Sequence, residues 1–309
     1  MSHRFDDRVA IVTGAGNGLG RSHALGLAAR GAKVVVNDLG GARDGTGASS
    51  TAAQEVVEEI RSQGGDALAN GADVTDVEQV EAMVREAEER WGRVDVLVNN
   101  AGILRDKSFQ KMTLEDFRMV VDVHLMGSVH CTKAAWPGMR ERGYGRIAMT
   151  TSSTGLYGNF GQANYGAAKL ALVGLMNTLV QEGKKYDIRV NCLAPCAATR
   201  MTEDLMGPEI LALLDPAAVT AGLLVLVGEA APNRTVLCAG AGVYSTTTLF
   251  ESRGVHIEPQ DWSPEAVAAR WDEITAQEGQ LVHKAGFDQT QHQLTTAAKA
   301  RGLDLGGGS

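Results

Sequence analysis

The chain has 309 residues, of which 44% are hydrophobic and 37 are glycine, and its 29 basic and 37 acidic side chains give a formal net charge of −8. That acidic balance excludes the basic surface with which proteins neutralise nucleic-acid phosphates. No apolar run approaches the ~18 residues of a membrane span, and the polar start at residues 1–8 has no signal-peptide core. We expect a globular protein of the cytoplasm with no nucleic-acid partner and no membrane span.

The cysteines indicate a reducing compartment. The four of them contain no CxxC pair. Cys192 and Cys196 lie four residues apart, but no His or Cys stands beside them at a spacing typical of metal ligands. We therefore expect reduced, structural thiols and no metal site.

Short apolar runs rich in β-branched residues alternate with helical stretches. The predicted strands cover residues 9–13, 33–38, 67–69, 94–99, 145–151, 188–194 and 235–238. The predicted helices cover residues 18–30, 50–64, 76–91, 114–142, 164–186 and 217–228. The run at 94–99 has no polar alternation, which is typical of a strand buried on both faces of a parallel sheet. The pattern predicts an α/β fold with a Rossmann-type, doubly wound parallel sheet of about seven strands.

A composition shift divides the chain near residue 250. We expect residues 1–250 to form one domain that contains the whole sheet and the functional site. Residues 251–309 are predicted to form a C-terminal extension with one helix, at 264–277, and a flexible tail. Within the main domain, the Gly-rich segment 40–50 is predicted to be an insertion between the second strand and its helix.

A glycine-rich turn, TGAGNGLG at residues 13–20, lies between the first strand and the first helix. Glycines there allow the backbone to pass close to a pyrophosphate, and the helix N-terminus supplies unpaired N–H groups and the positive end of its dipole. Such a turn also occurs in ordinary loops, and its spacing here is TGxxxGxG rather than GxGxxG. The βαβ setting favours a dinucleotide site, whose candidate residues are Gly14, Asn17, Gly18, Leu19 and Gly20.

The side chain that closes the second strand bears on which dinucleotide is bound. Asp38 lies 18 residues after Gly20, where a carboxylate can accept hydrogen bonds from the adenosine ribose hydroxyls and repel a 2′-phosphate. The alternative is a solvated aspartate at a strand end. Arg21 and Arg43 are the nearby cations that would favour NADP. We expect Asp38 to outweigh them, so the predicted cofactor is NAD.

Five motifs carry a resemblance to a known family. In chain order they are TGAGNGLG at 13–20, Asp73-Val74, NNAG at 99–102, Ser152, and YGAAK at 165–169. Together they resemble the short-chain dehydrogenase/reductase family over residues 8–245. The strings MTTSSTGLYGNFGQANYGAAK at 149–169 and NNAGILRDKSF at 99–109 are similar to the (3R)-hydroxyacyl-CoA dehydrogenase domains of type 2 peroxisomal multifunctional enzymes. That likeness continues past residue 245.

The resemblance implies further cofactor contacts. Asp73 and the backbone of Val74 are expected to meet the adenine, and Asn100 and Gly102 to lie beside the adenosine ribose. Thr199 is expected near the nicotinamide carboxamide, although it comes one residue early and follows Pro-Cys where the family usually has Pro-Gly.

Tyr165 and Lys169 are the predicted catalytic pair. They stand at i and i+4, so both side chains project from one helix face. A phenol with a pKa near 10 is a poor base, but a nearby ammonium and the nicotinamide charge would favour its phenolate. Tyr165 would then exchange a proton with the substrate oxygen, and Lys169 would bond the nicotinamide ribose. Ser152 is expected to hydrogen-bond the reacting oxygen, with Ser153 as the competing residue.

One position departs from the wider family. The helix before the catalytic strand usually carries an Asn that holds a water of the proton relay, and His124 stands there in this chain. The multifunctional-enzyme group resembles this chain in having the same VHL string, so we predict that His124 replaces the Asn in the relay. The alternative is a histidine of the core with its hydrogen bonds satisfied.

The resemblance implies an NAD-dependent enzyme that interconverts a secondary alcohol and a ketone, with a (3R)-3-hydroxyacyl-CoA as the favoured small-molecule substrate. A hydroxysteroid or a sterol side-chain acyl-CoA comes next. An NADPH-dependent 3-oxoacyl-thioester reductase follows, against which Asp38 argues, and last a non-catalytic nucleotide-binding module. The helix at 165–186 is apolar on nearly all sides, and in the family it packs on a partner subunit. We therefore expect a homodimer or homotetramer.

Overall fold

The computed structural model describes residues 3–42, 44–47, 49, 51–197 and 208–303. Over these residues eight strands form one sheet. They are β1 (Val9–Thr13), β2 (Lys33–Asn37), β3 (Ala67–Asn70), β4 (Val96–Asn99), β5 (Gly145–Thr150), β6 (Ile188–Cys196), β7 (Val236–Gly240) and β8 (Val243–Thr247).

The strand order is β3-β2-β1-β4-β5-β6-β7-β8, and every pair is parallel except β7 with β8. The predicted doubly wound sheet is confirmed, with eight strands rather than seven. The additional strand closes a hairpin whose two turn residues, Ala241 and Gly242, both have positive φ, as tight hairpin turns require. The chain adds β2 and β3 on one side of β1 and then β4 on the other, so the order of strand addition reverses between β1 and β4. Ligands of such sheets bind beyond the carboxyl ends of the strands at that point.

The helices of the main domain flank this sheet on both faces. They are α1 (Gly18–Ala28), α2 (Thr51–Ser62), α3 (Val77–Trp91), α4 (Leu114–Val121), α5 (Gly127–Arg142), α6 (Ser153–Tyr157), α7 (Ala163–Gly183), α8 (Pro208–Leu213) and α9 (Pro216–Leu226). The long helical region predicted over 114–142 is helical over its whole length but consists of three segments. A π-helical segment, Asp122–Met126, separates α4 from α5, and such a segment changes the direction in which its side chains point. None of the described helices is long and apolar enough to cross a bilayer.

Two apolar layers enclose the sheet, and β1 contributes to both because successive side chains of a strand point to opposite faces. Ala10 and Val12 belong to one core cluster, with residues of α1, α2 and α9. Val9 and Ile11 belong to the other, with residues of α3, α5 and α7. Strands buried on both faces explain the unbroken apolar runs of the sequence.

Residues 248–309 form a second compact unit, separate from the unit that ends at Thr247. The helix predicted at 264–277 is two short ones, α10 (Pro264–Ala269) and α11 (Trp271–Ile274), because Arg270 leaves helical geometry. A longer helix, α12 (Gly286–Ala300), was not predicted because its sequence is rich in Gln and Thr. The predicted flexible tail, 305–309, lies outside the described residues.

Candidate active site

A cavity of about 380 Å³ opens at the carboxyl ends of the central strands. Thirteen of the fifteen residues that the sequence singled out line it, namely Gly14, Asn17, Gly18, Leu19, Gly20, Asp38, Asp73, Val74, Asn100, Gly102, His124, Tyr165 and Lys169. Ser152 lies near them just beyond the end of β5, where its side chain lowers the pKa of Tyr165. Thr199 lies outside the described residues.

The glycine-rich turn has the geometry that a pyrophosphate needs. Gly14 and Gly18 have φ of +62° and +53°, and a Cβ on Gly20 would lie 2.1 Å from the carbonyl oxygen of Gly14. Asn17 precedes α1 without a side-chain cap, so the first N–H groups of α1 have no side-chain acceptor there. The turn therefore offers free donors and a positive helix end to an anion in the cavity.

Asn100 holds this turn in place. Its side-chain Nδ2 donates to the carbonyl oxygens of Thr13 and Gly14 at 3.0 and 3.1 Å, and its backbone N–H donates to the Thr13 hydroxyl at 3.0 Å. The amide thus joins the end of β4 to the end of β1. The neighbouring Asn99 is buried and donates to Thr132 Oγ1, which agrees with a structural role for it.

Asp38 stands at the end of β2 with both carboxylate oxygens held by backbone. Oδ2 accepts from the Gly16 N–H and Oδ1 from the Gly40 N–H, each at 2.7 Å. These bonds fix the carboxylate in the cavity wall, and no cation among the described residues forms an ion pair with it. Arg21, one of the two cations that could favour NADP, is paired with Glu59, and Arg43 lies outside the described residues.

The predicted adenine contacts form another part of the wall. Val74 is largely buried, and its carbonyl oxygen accepts from His130 Nδ1 at 3.0 Å. The Asp73 carboxylate accepts from the backbone N–H and the hydroxyl of Thr75, both at 2.8 Å. Its side chain therefore braces the loop in addition to facing the cavity.

The cavity has one wall that no motif indicated. Gly41, Ala42 and Gly45 of the insertion line it, together with Ile103 and Met119. The sequence showed the insertion as a Gly-rich stretch but did not show where it folds. A Cβ on Gly45 would lie 3.2 Å from the Ile103 side chain, so the insertion packs directly on the segment after β4.

Ser152, Tyr165 and Lys169 come together from two elements. Ser152 follows β5, and its Oγ accepts from the Thr154 N–H, which begins α6. Tyr165 and Lys169 lie on the first turns of α7, with Lys169 Nζ 5.5 Å from the centre of the Tyr165 ring and donating to the Thr150 carbonyl oxygen at 2.5 Å. The competing Ser153 is exposed at the start of α6, so the geometry favours Ser152.

Burial governs the protonation of this group. It raises the pKa of the Tyr165 hydroxyl above its ordinary value of 10, while the hydrogen bond with Ser152 lowers that pKa and the charge of Asp106 raises it. Burial also lowers the pKa of Lys169 to about 7. The pKa of Lys169 therefore lies close to neutral pH, which suits a site that exchanges protons there.

His124 lies in the π-helical segment and points into the site. Its Nε2 is 2.8 Å from the Ile103 carbonyl oxygen and 3.1 Å from the Ile103 backbone nitrogen, and its ring meets Tyr165 edge-on at 5.1 Å between centres. Nδ1 has no hydrogen-bond partner among the described residues. Burial, and then the Lys169 charge, hold the pKa of His124 well below 6.5, so the ring is neutral.

Gly102 lines the cavity and also lies against the ring of His124. A Cβ there would lie 2.3 Å from Cε1 of His124. A glycine is therefore needed for the histidine to occupy its place, and a family comparison based on the NNAG motif alone gives no sign of this.

The chain is similar to known proteins over most of its length. The family described as short chain dehydrogenase matches residues 8–208. A short-chain type dehydrogenase/reductase of Mycobacterium tuberculosis is 51% identical over 282 residues, which are 91% of this chain and 98% of the relative. The peroxisomal hydratase-dehydrogenase-epimerase of Saccharomyces cerevisiae is 48% identical over 291 residues, which cover 93% of this chain and 32% of the relative.

Two solved structures agree with the fold. Full-length peroxisomal multifunctional enzyme type 2 from Drosophila melanogaster matches with a TM-score of 0.81 at 36% identity, over 96% of this chain and 50% of that one. A 7α-hydroxysteroid dehydrogenase complexed with NADH and 7-oxo glycochenodeoxycholic acid matches with a TM-score of 0.70 at 31% identity, over 77% of this chain and 95% of that one.

The chain belongs to the short-chain dehydrogenase family. It is an oxidoreductase with a nicotinamide cofactor, and the predicted resemblance to the dehydrogenase part of type 2 multifunctional enzymes is confirmed. The chain spans about a third of the yeast relative and half of the fruit-fly protein, so their further activities are not transferred to it.

Proposed function

We propose that this chain is an NAD-dependent dehydrogenase that interconverts a (3R)-3-hydroxyacyl-CoA and the 3-oxoacyl-CoA. The observation that carries the proposal is the meeting of Ser152, Tyr165 and Lys169 beside a cavity whose other end is formed by the glycine-rich turn and Asp38. The substrate class rests on relatives named peroxisomal hydratase-dehydrogenase-epimerase, multifunctional enzyme A and multifunctional enzyme type 2, which are 44–50% identical.

Each side chain of the site has its own role in the proposed reaction. The nicotinamide, when bound, exchanges a hydride with the substrate carbon. Ser152 donates a hydrogen bond to the substrate oxygen, and Tyr165 takes the proton of the alcohol in oxidation or returns it in reduction. Lys169, as an ammonium, favours the Tyr165 phenolate and binds the nicotinamide ribose. His124 stands behind Tyr165 as a neutral ring and takes part in the relay through its unpaired Nδ1.

The preference for NAD rests on charge. The Asp38 carboxylate is fixed in the cavity wall, where it can bond the adenosine ribose hydroxyls and repel a 2′-phosphate. Exchanging Asp38 for Ala is expected to improve the KM for NADP while that for NAD worsens. Initial rates with both cofactors test this, and an unchanged ratio of kcat/KM values would contradict the role of Asp38.

A hydroxysteroid is the second candidate substrate. The specific observation in its favour is the likeness to the 7α-hydroxysteroid dehydrogenase structure, which holds a bile-acid derivative. NADH formation, followed by absorbance across a panel of 3-hydroxyacyl-CoA esters and hydroxysteroids, decides between the two classes. We expect the acyl-CoA esters to have the higher kcat/KM.

The assembly and the location of the chain form the last part of the proposal. The proposal includes a homodimer or homotetramer formed through α7, whose outward positions include Leu170, 44% exposed, and Gly174, which faces open space. The predicted cytoplasmic location stays a prediction, because several relatives carry the word peroxisomal in their names. Subcellular fractionation of the source cells tests it.

A further inference from the structure

One short segment, residues 103–107 between β4 and α4, contacts both ends of the cavity. Arg105 Nε donates to the carbonyl oxygen of Asp44 in the insertion at 3.0 Å, and Nη1 donates to Asp116 Oδ1 at 3.2 Å. The Arg105 and Asp116 side chains are only 21% and 15% exposed. Gly45, which follows Asp44, lines the cavity and packs on Ile103. The Arg105 guanidinium therefore joins the insertion, which forms part of the cavity wall, to residues 103–107.

The same segment reaches the catalytic helix through Asn164. This side chain is fully buried, and its Nδ2 donates to the carbonyl oxygen of Arg105 at 3.2 Å and to that of Asp116 at 3.5 Å. Its Oδ1 accepts from the backbone N–H of Tyr165 at 2.8 Å. Only one orientation of the amide serves these partners, because two carbonyls need donors and the N–H needs an acceptor.

Asn164 Oδ1 gives the Tyr165 N–H an acceptor that the first turn of a helix does not supply by itself. The first four N–H groups of a helix lack intrahelical acceptors, and Gln162, which precedes α7, makes no side-chain cap. Asn164 supplies the missing acceptor at the very residue whose hydroxyl exchanges the proton. A donor that is shielded from water and left without a partner is unfavourable, so the first turn would shift to recover an acceptor, and the phenol would move with it.

We propose that Asn164 and Arg105 are positioning residues of this enzyme. Asn164 fixes Tyr165 through the first turn of α7, and Arg105 holds the insertion at the cofactor end. Because both bond to the segment 103–107, that segment aligns the two ends of the cavity. The turnover part of this inference rests on the proposed function, whereas the cofactor part does not.

The cofactor part is tested by titrating the protein with NADH in the absence of substrate and following the fluorescence of NADH. Arg105→Gln removes the bond to Asp44, and the loss of one hydrogen bond is expected to raise the Kd for NADH about fivefold. Lys107→Gln is the matched control, because the Lys107 side chain bonds the same carboxylate, Asp116 Oδ2 at 2.9 Å, but bonds none of the described residues of the insertion. Its Kd should stay within about twofold of wild type. Equal Kd values for the two variants would overturn the role of Arg105.

The catalytic part is tested by Asn164→Leu, with Asn177→Leu farther along α7 as the control. Asn177 accepts a bond from Arg234 and lies three turns from Tyr165. We expect kcat of Asn164→Leu to fall at least about tenfold while the Kd for NADH stays within about twofold, since only the transition-state geometry changes. Asn164→Ser, which keeps a hydroxyl near the Tyr165 N–H, should recover part of kcat and provides the test if the Leu variant does not fold.

Two results would contradict the role of Asn164. One is a folded Asn164→Leu or Asn164→Ser variant with the kcat of wild type. The other is a proportional change of kcat and NADH affinity, which would indicate general loosening. If the wild type oxidises no 3-hydroxyacyl-CoA, the proposed function fails, and the Asn164 comparison is then made with whichever secondary alcohol the panel identifies. The NADH titration stands in either case.

Discussion

Tyr165 is the residue on which the proposed chemistry depends most directly. The Ser152 side chain lowers the pKa of the Tyr165 hydroxyl, and the tyrosine ring lies against His124. Tyr165→Phe removes the proton-exchanging group and keeps the ring, so we expect kcat to fall by about 10²–10⁴ with little change in the Kd for NADH. Steady-state rates and NADH titration check this. A variant that kept full turnover would remove Tyr165 from the mechanism.

The charge of Asp106 is expected to affect how the rate of alcohol oxidation varies with pH. This carboxylate accepts from Gln162 Nε2 at 2.7 Å beside the start of α7, and its charge raises the pKa of Tyr165. Asp106→Asn keeps an acceptor for Gln162 and removes the charge, so the pKa of Tyr165 falls. Alcohol oxidation requires the deprotonated form, and its acid-side midpoint should therefore move to lower pH. A profile of kcat/KM against pH measures this, and a shift to higher pH would contradict the assignment.

The contact of Gly102 with His124 gives another residue-level prediction. Gly102→Ala places a methyl group 2.3 Å from a ring carbon of the buried His124, so the ring must leave its place beside Tyr165. We expect kcat to fall at least about tenfold, with a loss of about 1–3 kcal/mol in the free energy of unfolding. Gly71→Ala is the control, because nothing lies within 4 Å of its Cβ. Equal kcat for the two variants would mean that the position of His124 is unimportant.

Sequence reasoning at this scale identified the residues with characteristic spacing. Tyr165, Lys169 and the glycine-rich turn depend on contacts within one helix or one βαβ unit, which a linear motif records. Arg105 and Asn164 could not be found this way, because their partners are backbone carbonyls far along the chain. A carbonyl oxygen has no residue identity, so no pattern of letters indicates it.

At the scale of elements, α1 and α9 pack through a small polar cluster. His23, fully buried on α1, lies 2.8 Å from the Thr220 hydroxyl, which also bonds Ser22 at 2.7 Å. Burial lowers the pKa of His23 from 6.5 to about 3. The unfolded chain therefore binds a proton that the folded chain refuses between these two pH values, and folding stability falls as pH decreases through this window.

The burial of His23 predicts a measurable dependence of the free energy of unfolding on pH. His23→Gln removes the titrating group, so the variant should lose less stability than wild type on acidification, with a difference on the order of 4 kcal/mol between pH 7 and pH 3. Urea unfolding at a series of pH values measures this. His292→Gln, at a partly exposed histidine of the C-terminal unit, is the control and should follow wild type. Parallel curves for wild type and His23→Gln would show that His23 does not titrate as inferred.

Element boundaries were predictable where apolar periodicity alone determines them, as in β1 and α3. The break of the long helix at Asp122–Met126 was not, because π and α geometry share the same side-chain pattern over five residues. The strand β8 was also missed, although VYSTT is rich in β-branched residues. It lies at an exposed sheet edge and lacks the apolar run by which the buried strands were found.

At the scale of the whole molecule, the outward face of α7 carries the proposed assembly. Gly174 lies on this face with open space around its Cβ. Gly174→Glu should leave the isolated subunit intact, because Gly is a poor helix former, while a charge buried at a subunit contact opposes association. We expect a smaller mass than wild type by light scattering. Identical masses for an oligomeric wild type and the variant would exclude this face as the interface.

The central claim is that the site oxidises the (3R) alcohol of a 3-hydroxyacyl-CoA with NAD. The most direct measurement follows NADH formation with the (3R) and (3S) esters of one acyl chain, for wild type and for Tyr165→Phe. Since substrate oxygen and carbon must face Ser152, Tyr165 and the nicotinamide together, the account predicts turnover of the (3R) ester by wild type only. Equal rates with the two esters, or no NADH from either, would contradict it.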